Sequence, residues 1–382
     1  MKKIAVIFGT RPDTIKLATV TSEFRKDRKN FKVITIASAQ HRQMLDQVLS
    51  VFDIKPDYDL NIMQPKQTLA MIIKNSIEAL DDILVKEKPD MLIVQGDTTT
   101  TFVGSLAGFN RQIPVGHVEA GLRTDNKYNP FPEEINRRLT STLADLHFAP
   151  TSNAKKSLLK ENFAEKSIWV TGNTVIDALL VAVKKNYKFT VPILNDITKH
   201  KKKIVLITMH RRENWGEPMK AAANAVKRLS ILFPDINFVF PVHLNPVVRD
   251  VVYPVLQNQN NVYMIEPLDY LDFVNLMSKS HLILTDSGGI QEEGPHFGIP
   301  ILVLREVTER PEAVKFGTVK LVGLDEERIF NTAKKLLTVQ SAYNKMASAV
   351  NPYGDGLASK RIVGIVRNYF GISNEIIEEF KV

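Results

Sequence analysis

Short apolar runs rich in β-branched residues alternate with longer amphipathic stretches along this chain, and the whole pattern occurs twice. The first set of predicted strands is Lys3–Phe8, Lys32–Ala37, Met91–Gln95, Val115–Val118, His147–Ala149 and Ile168–Thr171. Helical periodicity lies between them at Thr14–Arg25, Gln43–Phe52, Thr68–Glu87 and Thr99–Asn110. The second set is Lys203–Met209, Asn237–Phe240, Val262–Ile265, Leu282–Thr285, Ile301–Leu304 and Val319–Leu321, with helices at Pro218–Leu232, Pro246–Leu256, Tyr270–Ser278 and Gln291–Gly298. Strands that are apolar throughout, rather than on alternate residues, are buried on both faces, as in a parallel sheet covered by helices. The fold class expected is therefore α/β, with two doubly wound, Rossmann-like domains facing a cleft and a boundary near Thr171 to Leu180. The segment Asn186 to Lys203 reads as an irregular connection. In such sheets ligands bind beyond the carboxyl ends of the strands, so residues just after each strand are the ones to inspect.

Length and composition agree with this division. A chain of 382 residues exceeds what one hydrophobic core usually serves. With 44% hydrophobic and 24% charged residues it is an ordinary globular composition. There is no cysteine, which excludes disulfides, thiolate metal sites and cysteine nucleophiles. The formal charge of +8 is spread along the chain, and its densest run, Lys199 to Lys203 around His200, reads as a solvated loop before a strand. No nucleic-acid partner is expected; the basic surplus suits an anionic small molecule such as a nucleotide diphosphate. The apolar stretch Ile4–Phe8 is too short for a signal peptide and runs straight into Gly9-Thr10-Arg11-Pro12. No run approaches the roughly 18 apolar residues of a membrane span. A soluble, cytoplasmic protein without a membrane partner is expected.

The strand ends carry the chemistry. After the first strand comes Gly9-Thr10-Arg11-Pro12-Asp13-Thr14-Ile15-Lys16, a turn into a helix whose N-terminus and whose Arg11 and Lys16 could reach a diphosphate; taken alone it also reads as an ordinary turn with a surface arginine. Gln95-Gly96-Asp97-Thr98 offers Asp97 as a helix cap, an acid–base group, or both. His117-Val118-Glu119 sets a carboxylate at the end of an apolar strand, where burial requires a partner or a function. Phe131-Pro132-Glu133-Glu134 opens a helix with two acids, and i,i+4 pairing with Arg137 and Arg138 accounts for them as well as a functional role does.

In the second half His210-Arg211-Arg212-Glu213-Asn214-Trp215 gathers a titratable ring and two cations after a strand, as an anion site would. Pro241-Val242-His243 follows another strand, and Thr285-Asp286-Ser287-Gly288-Gly289 turns into a helix with backbone amides suited to phosphate. Glu293 is expected on that helix's first turn, placed to accept from ribose hydroxyls, and Arg310 adds a cation. Neither Gly-x-Gly-x-x-Gly nor a Walker sequence is present, so a bound nicotinamide lacks its usual cradle. Metal-ligand spacings and a Gly-x-Ser-x-Gly elbow are also missing. The expectation is proton transfer on an anionic substrate with no cofactor and no metal; these residues alone fit a nucleotide-sugar transferase equally well.

Taken together, the motifs resemble the non-hydrolysing UDP-N-acetylglucosamine 2-epimerases along essentially the whole chain. The matching stretches include 39–47, Gly96–Thr101, Val115–Thr124, Pro132–Arg137, Thr171–Leu179, His210–Asn214, Pro241–Pro246, Thr285–Glu293, Thr308–Val314 and Asn351–Gly356. The resemblance implies a GT-B-like fold, a homodimer and a C-terminal helix returning to the first domain, giving domains 1–171 with about 360–382, and 172–359. It implies Asp97, Glu119, Glu133 and His210 as the catalytic group. Arg11, Lys16, Ser287, Gly288, Gly289 and Arg310 would lie at the diphosphate, Glu293 at the ribose, and Leu268 and Phe273 at the uracil. A second UDP-N-acetylglucosamine, acting as activator, would map to Gln40, Gln43, Lys66, Gln67, Arg211 and His243.

The reaction implied is reversible epimerisation at C2, by elimination of UDP to a 2-acetamidoglucal and its re-addition, supplying precursors of surface polysaccharides. Departures from the family pattern are Asp13, Thr14 and Thr19 where Glu, Ala and Pro are usual, Met209 where Ala or Gly is commoner, and Lys66 for a frequent Arg. The competing readings are a hydrolysing 2-epimerase, an enzyme acting on a modified UDP-sugar, a UDP-sugar transferase and a noncatalytic UDP-sugar sensor. The first-loop sequence Arg11-Pro12-Asp13-Thr14-Ile15-Lys16 favours the non-hydrolysing group over the hydrolysing one.

Overall fold

The structure is a computed structural model and describes residues 1–38, 48–62, 67–200 and 202–382. It divides into two compact units, Met1–Leu180 with Tyr353–Lys381, and Val181–Pro352 with Val382. The sequence reading sets the joints at 171/172 and about 359/360. The residues between the two sets of joints belong with the first unit: Asn173 donates its backbone N–H to the Tyr353 carbonyl at 2.7 Å, and the Asp177 carboxylate accepts from Ser359 N–H at 2.8 Å.

The first unit is built on a parallel seven-stranded sheet. Its strands are β1 (Lys2–Phe8), β2 (Phe31–Ala37), β3 (Tyr58–Asp59), β4 (Met91–Gln95), β5 (Val115–Val118), β6 (Leu146–Ala149) and β7 (Ile168–Val170), in the order β3-β2-β1-β4-β5-β6-β7. Every residue of β4, β5 and β6 is buried, which is why those runs show no alternation. The order reverses between β1 and β4, where Ile4 pairs with both Val33 and Met91. That reversal sets the loops after β1 and β4 side by side, so tightly that a side chain at Gly9 would lie 2.5 Å from the Thr100 hydroxyl. The two-residue edge strand β3 has no counterpart in the sequence reading, because two residues carry no periodicity. Of the predicted helix Gln43–Phe52, residues 43–47 lie outside the described residues and 48–51 are helical.

A parallel six-stranded sheet forms the second unit. It comprises β8 (Ile204–Thr208), β9 (Asn237–Pro241), β10 (Val262–Ile265), β11 (Leu282–Thr285), β12 (Ile301–Val303) and β13 (Val319–Leu321), in the order β10-β9-β8-β11-β12-β13. Here the reversal lies between β8 and β11, with Thr208 opposite Thr285 and their hydroxyls 2.6 Å apart. Met209, one of the departures, is buried in the core of this unit, against which Trp215 packs. The connection Asn186 to Lys203 is not wholly irregular: Pro192–Lys199 is a helix. Proline at its first position presets the backbone, and Leu194 and Ile197 are buried on one face. The basic run that follows masks this short amphipathic signal.

The helix Ala358–Tyr369 packs in the first unit against the helix Arg11–Lys26. Ser359 donates to the Thr19 hydroxyl at 3.0 Å and Arg367 pairs with Asp27 at 2.8 Å. Thr19, another departure, thus supplies a hydroxyl to this contact. Leu357, before the helix, has no side chain able to cap it, and Asp177 takes over by accepting from Ala358 and Ser359 N–H. Replacing Asp177→Ala strands those two donors in a buried place. It is expected to cost about 1–3 kcal/mol, read as lost hydrogen-exchange protection over 358–369 with protection in Glu217–Leu232 unchanged. Equal protection at both helices, before and after, would contradict the assignment.

Candidate active site

In the first unit the carboxylates gather around Gly96. Glu119 follows β5 at φ 63°, buried, in a nest of donors. Lys16 Nζ reaches its two oxygens at 2.6 and 2.7 Å, Asn173 Nδ2 donates at 3.1 Å, and Gln95 Nε2 donates as well. Gly96, at φ 72°, leaves room between two acids: a side chain there would lie 3.6 Å from Glu119 Oε2 and 3.9 Å from Asp13 Oδ1. His117 holds the Gly96 carbonyl at 2.7 Å through Nε2; burial pushes its ring down to about 3, so it donates as a neutral imidazole.

Asp97 is not the helix cap. Thr98 does that work, its hydroxyl accepting from Thr101 N–H at 3.3 Å, and Asp97 turns instead to Arg137, with which it forms an ion pair. Arg137 is held in turn by Glu134, which is fully buried and also accepts from Arg138 at 2.9 Å and Thr124 N–H at 3.1 Å. Arg138 and Arg123 then share Glu161 at 2.9 and 2.7 Å. The acids at the start of the Glu133–Leu143 helix therefore divide. Glu134 takes the pairing with both arginines, while Glu133 is half-buried and its side chain has no hydrogen-bonding partner among the described residues.

Asp13 is buried, and its donors among the described residues are neutral, Thr10 N–H at 3.2 Å and the Thr98 hydroxyl at 3.1 Å. Burial, and then the nearby charge of Asp97, push its carboxyl up to about 7.

The second unit assembles the other candidates at its own strand reversal. Asp286, directly after β11, is fully buried and accepts from His210 N–H and Arg211 N–H at 2.9 Å and from Asn214 Nδ2 at 3.0 Å. The His210 ring stands with Nδ1 3.0 Å from Asp286 Oδ1 and stacks on His243, centroids 6.0 Å apart. Ser287 does not cap the helix Gly288–Glu293 with its side chain, which leaves first-turn N–H groups available to a ligand. Two guanidinium groups flank that start: Arg211 Nη2 lies 3.7 Å and Arg310 Cζ 4.0 Å from where a Gly288 side chain would begin. Arg310 is oriented by an ion pair with buried Glu292. A cavity of about 440 Å³ adjoins this place, lined by His210, Arg211, Trp215, His243 and Asn245 among others. Chemically, one unit presents carboxylates interleaved with cations, and the other an imidazole beside an anion cradle.

A family model for UDP-N-acetylglucosamine 2-epimerase matches residues 23–367. The chain belongs to that family. The Bacillus subtilis UDP-N-acetylglucosamine 2-epimerase is 54% identical over 382 residues, covering 100% of this chain and 99% of its own. A solved epimerase structure from Listeria monocytogenes matches with a TM-score of 0.95 and 46% identity, covering 100% of both chains. That of the Neisseria meningitidis UDP-GlcNAc 2-epimerase, bound to UDP-GlcNAc, matches with a TM-score of 0.85 and 50% identity, covering 96% of this chain and 100% of its own. The two doubly wound units are GT-B-like in topology, as is usual among these epimerases.

Within this epimerase chain the remaining candidates fall as follows. Arg11 opens the helix Arg11–Lys26, five residues before the Lys16 that grips Glu119. Leu268 is buried just before the helix Tyr270–Ser278, which carries a half-buried Phe273. Glu293 is not on the first turn of its helix but is its last residue, since the helix is only Gly288–Glu293 and a 3-10 turn follows it. Gln67 donates to the Ile62 carbonyl at 2.8 Å; Gln40, Gln43 and Lys66 lie outside the described residues. Sequence reasoning gave no site role to Asp13, Gln95, Arg137, Asn173 or Asp286. Gln95 and Asp286 carry the signal that picked out Glu119, a polar group closing an apolar strand, whereas Arg137 and Asn173 reveal themselves only through their contacts.

Asp13 yields a pH prediction. Its carboxyl rises from 3.8 to about 7 on folding, so its contribution is fully present below about pH 4 and is lost as pH rises through 7. Asp13→Asn removes that dependence. Measured by denaturant unfolding, the stability of the variant relative to the parent should climb by on the order of 4 kcal/mol across this window. A difference that stays flat with pH would show that Asp13 is ionised throughout.

Proposed function

We propose that this chain catalyses the reversible C2 epimerisation of UDP-N-acetylglucosamine to UDP-N-acetylmannosamine, by elimination and re-addition of UDP through a 2-acetamidoglucal. One observation carries the reading: a relative 50% identical over nearly the whole chain is a UDP-GlcNAc 2-epimerase that holds UDP-GlcNAc. The chemistry of the candidate residues supports it. The C2 hydrogen of the sugar adjoins no carbonyl, so its removal alone would make a prohibitively unstable carbanion. Coupling that removal to departure of the anomeric diphosphate avoids the carbanion, provided cations receive the leaving charge.

The start of Gly288–Glu293 with Arg310, and Arg11 and Lys16 in the first unit, are the groups assigned to the diphosphate. Lys16 grips Glu119, so a diphosphate competing for Lys16 would release a carboxylate for proton transfer at the moment substrate is present. Inversion requires proton removal on one face of C2 and return on the other, which calls for separate proton-handling groups. Asp97, Glu119, Glu133 and His210 are those groups. Arg137 pairs with Asp97 and holds it in place. Glu293 is assigned to the ribose, and Leu268 and Phe273 to the uracil. Neither metal nor nicotinamide enters this scheme.

The enzyme acts in the cytoplasm; among the described residues no helix is long and apolar enough to cross a membrane. It works as a homodimer. The exposed apolar side chains Phe109, Ile135 and Leu139, on the neighbouring helices Thr99–Asn110 and Glu133–Leu143, are surface that a second copy would cover. A second UDP-N-acetylglucosamine activates it through Gln40, Gln43, Lys66, Gln67, Arg211 and His243, the last two lining the cavity beside His210.

NMR of UDP-N-acetylglucosamine with the protein in deuterated water tests the reaction. Deuterium should appear at C2 of both UDP-sugars without added nicotinamide. Retention of the C2 hydrogen would exclude the elimination, and free N-acetylmannosamine as the sole product would establish the hydrolysing alternative. For the second site, the reverse reaction from pure UDP-N-acetylmannosamine should lag until a trace of UDP-N-acetylglucosamine is added. A full rate from the outset would remove activation from the account.

A further inference from the structure

Asp286 is the most completely enclosed acid in the second unit's site. It has no exposed surface, and three N–H donors converge on Oδ2: the backbones of His210 and Arg211 and the side chain of Asn214. Those contacts fix the plane of the carboxylate. Oδ1 is buried and makes no well-aligned hydrogen bond among the described residues; the His210 ring approaches it with Nδ1 at 3.0 Å. Burial alone would raise the Asp286 carboxyl, but His210 and the backbone donors outweigh it and hold the group below its usual range, so it is ionised.

We propose that Asp286 is a positioning residue for His210, locking the imidazole in the tautomer that carries its proton on Nδ1 and leaving Nε2 as the nitrogen that exchanges protons. A carboxylate oxygen only accepts. With the opposite tautomer, the Nδ1 lone pair would face the buried Oδ1, which has no other donor among the described residues, and an unmet buried acceptor is costly. His243 does not compete for this role. Burial, and then His210 itself, push its ring down, and its Nδ1 accepts from Asn245 N–H at 3.1 Å. The same carboxylate pins the backbone on both sides of the site, since Ser287 and the helix start at Gly288 follow Asp286 directly. The ring's direction is thereby set relative to the anion cradle, and a neutral Nε2 can take a proton and return it as imidazolium.

That Nε2 is the reacting nitrogen rests on the epimerase reading; the tautomer does not, and the two are measured separately. In the full-length protein labelled with 15N-histidine and free of substrate, long-range proton–nitrogen NMR should show His210 with a protonated Nδ1 and a lone pair on Nε2. Its resonances are identified by their loss in His210→Gln. A protonated Nε2 with a bare Nδ1 overturns the proposal in the parent protein, with no need for an Asp286 variant to fold.

Asp286→Asn, which can donate to Nδ1 and so favour the wrong tautomer, should lower kcat by roughly 10²–10⁴-fold, with the Kd for UDP held within about threefold. In a His210→Gln background the same change should cost nothing further, because the pair acts as a unit. An equal loss in both backgrounds would show that Asp286 acts on the fold rather than through the ring. Absence of epimerase activity in the parent protein would refute the functional reading and leave the tautomer result standing.

Discussion

A carboxylate that closes a strand of a parallel sheet is shut in on both faces by helices, so it must be met by donors or not ionise at all. Glu119 after β5 and Asp286 after β11 are such groups, and much of each unit's candidate site is arranged to satisfy them. Lys16, Gln95 and Asn173 come from three different segments of the first unit to reach Glu119. Asp286 gathers the loop after β8 by its backbone, which fixes where His210 and Arg211 leave the sheet. The Asp286 cluster forms where strand order reverses between β8 and β11, and the Glu119 cluster lies one strand beyond the β1/β4 reversal, drawing Lys16 from the helix after β1 and Gln95 from β4.

The donors that satisfy these acids are also the groups an anionic substrate would seek. Lys16 serves Glu119, Arg137 serves Asp97 and Arg310 serves Glu292. Each cation is therefore already oriented, held by a partner that water screens poorly at such depth. A diphosphate entering such an arrangement exchanges one anionic partner for another instead of ordering loose side chains. Asp13 is the exception: among the described residues its donors are Thr10 and Thr98, both neutral, and it lies close enough to Asp97 to feel its charge.

The double α/β pattern and the strand positions were legible because burial on both faces leaves an unmistakable apolar run, and the candidate residues were picked out by their place at the strand ends. What escaped had a different origin. Strand β3 is two residues long, and the helix Pro192–Lys199 runs into a lysine run that looks like loop. Asp97 was open between cap and site because an acid beside Thr98 suits either, and only the hydroxyl of Thr98 on Thr101 N–H decides the capping. Arg137 read as a helix-surface partner of the acids before it. Its pairing with Asp97 joins residues forty positions apart, information that no local period contains. Thr19 and Met209, which looked like deviations, fill structural places against Ser359 and in the second core.

The proposed reaction turns on a diphosphate that leaves C1 and returns. The most direct measurement is positional isotope exchange, with 18O placed in UDP-N-acetylglucosamine between C1 and the β-phosphorus. If the bond from C1 breaks and the freed UDP turns before re-adding, the label should move into non-bridging β-phosphate positions at a rate comparable to epimerisation. Epimerised product with every label still bridging would contradict release of a UDP free to turn before it re-adds.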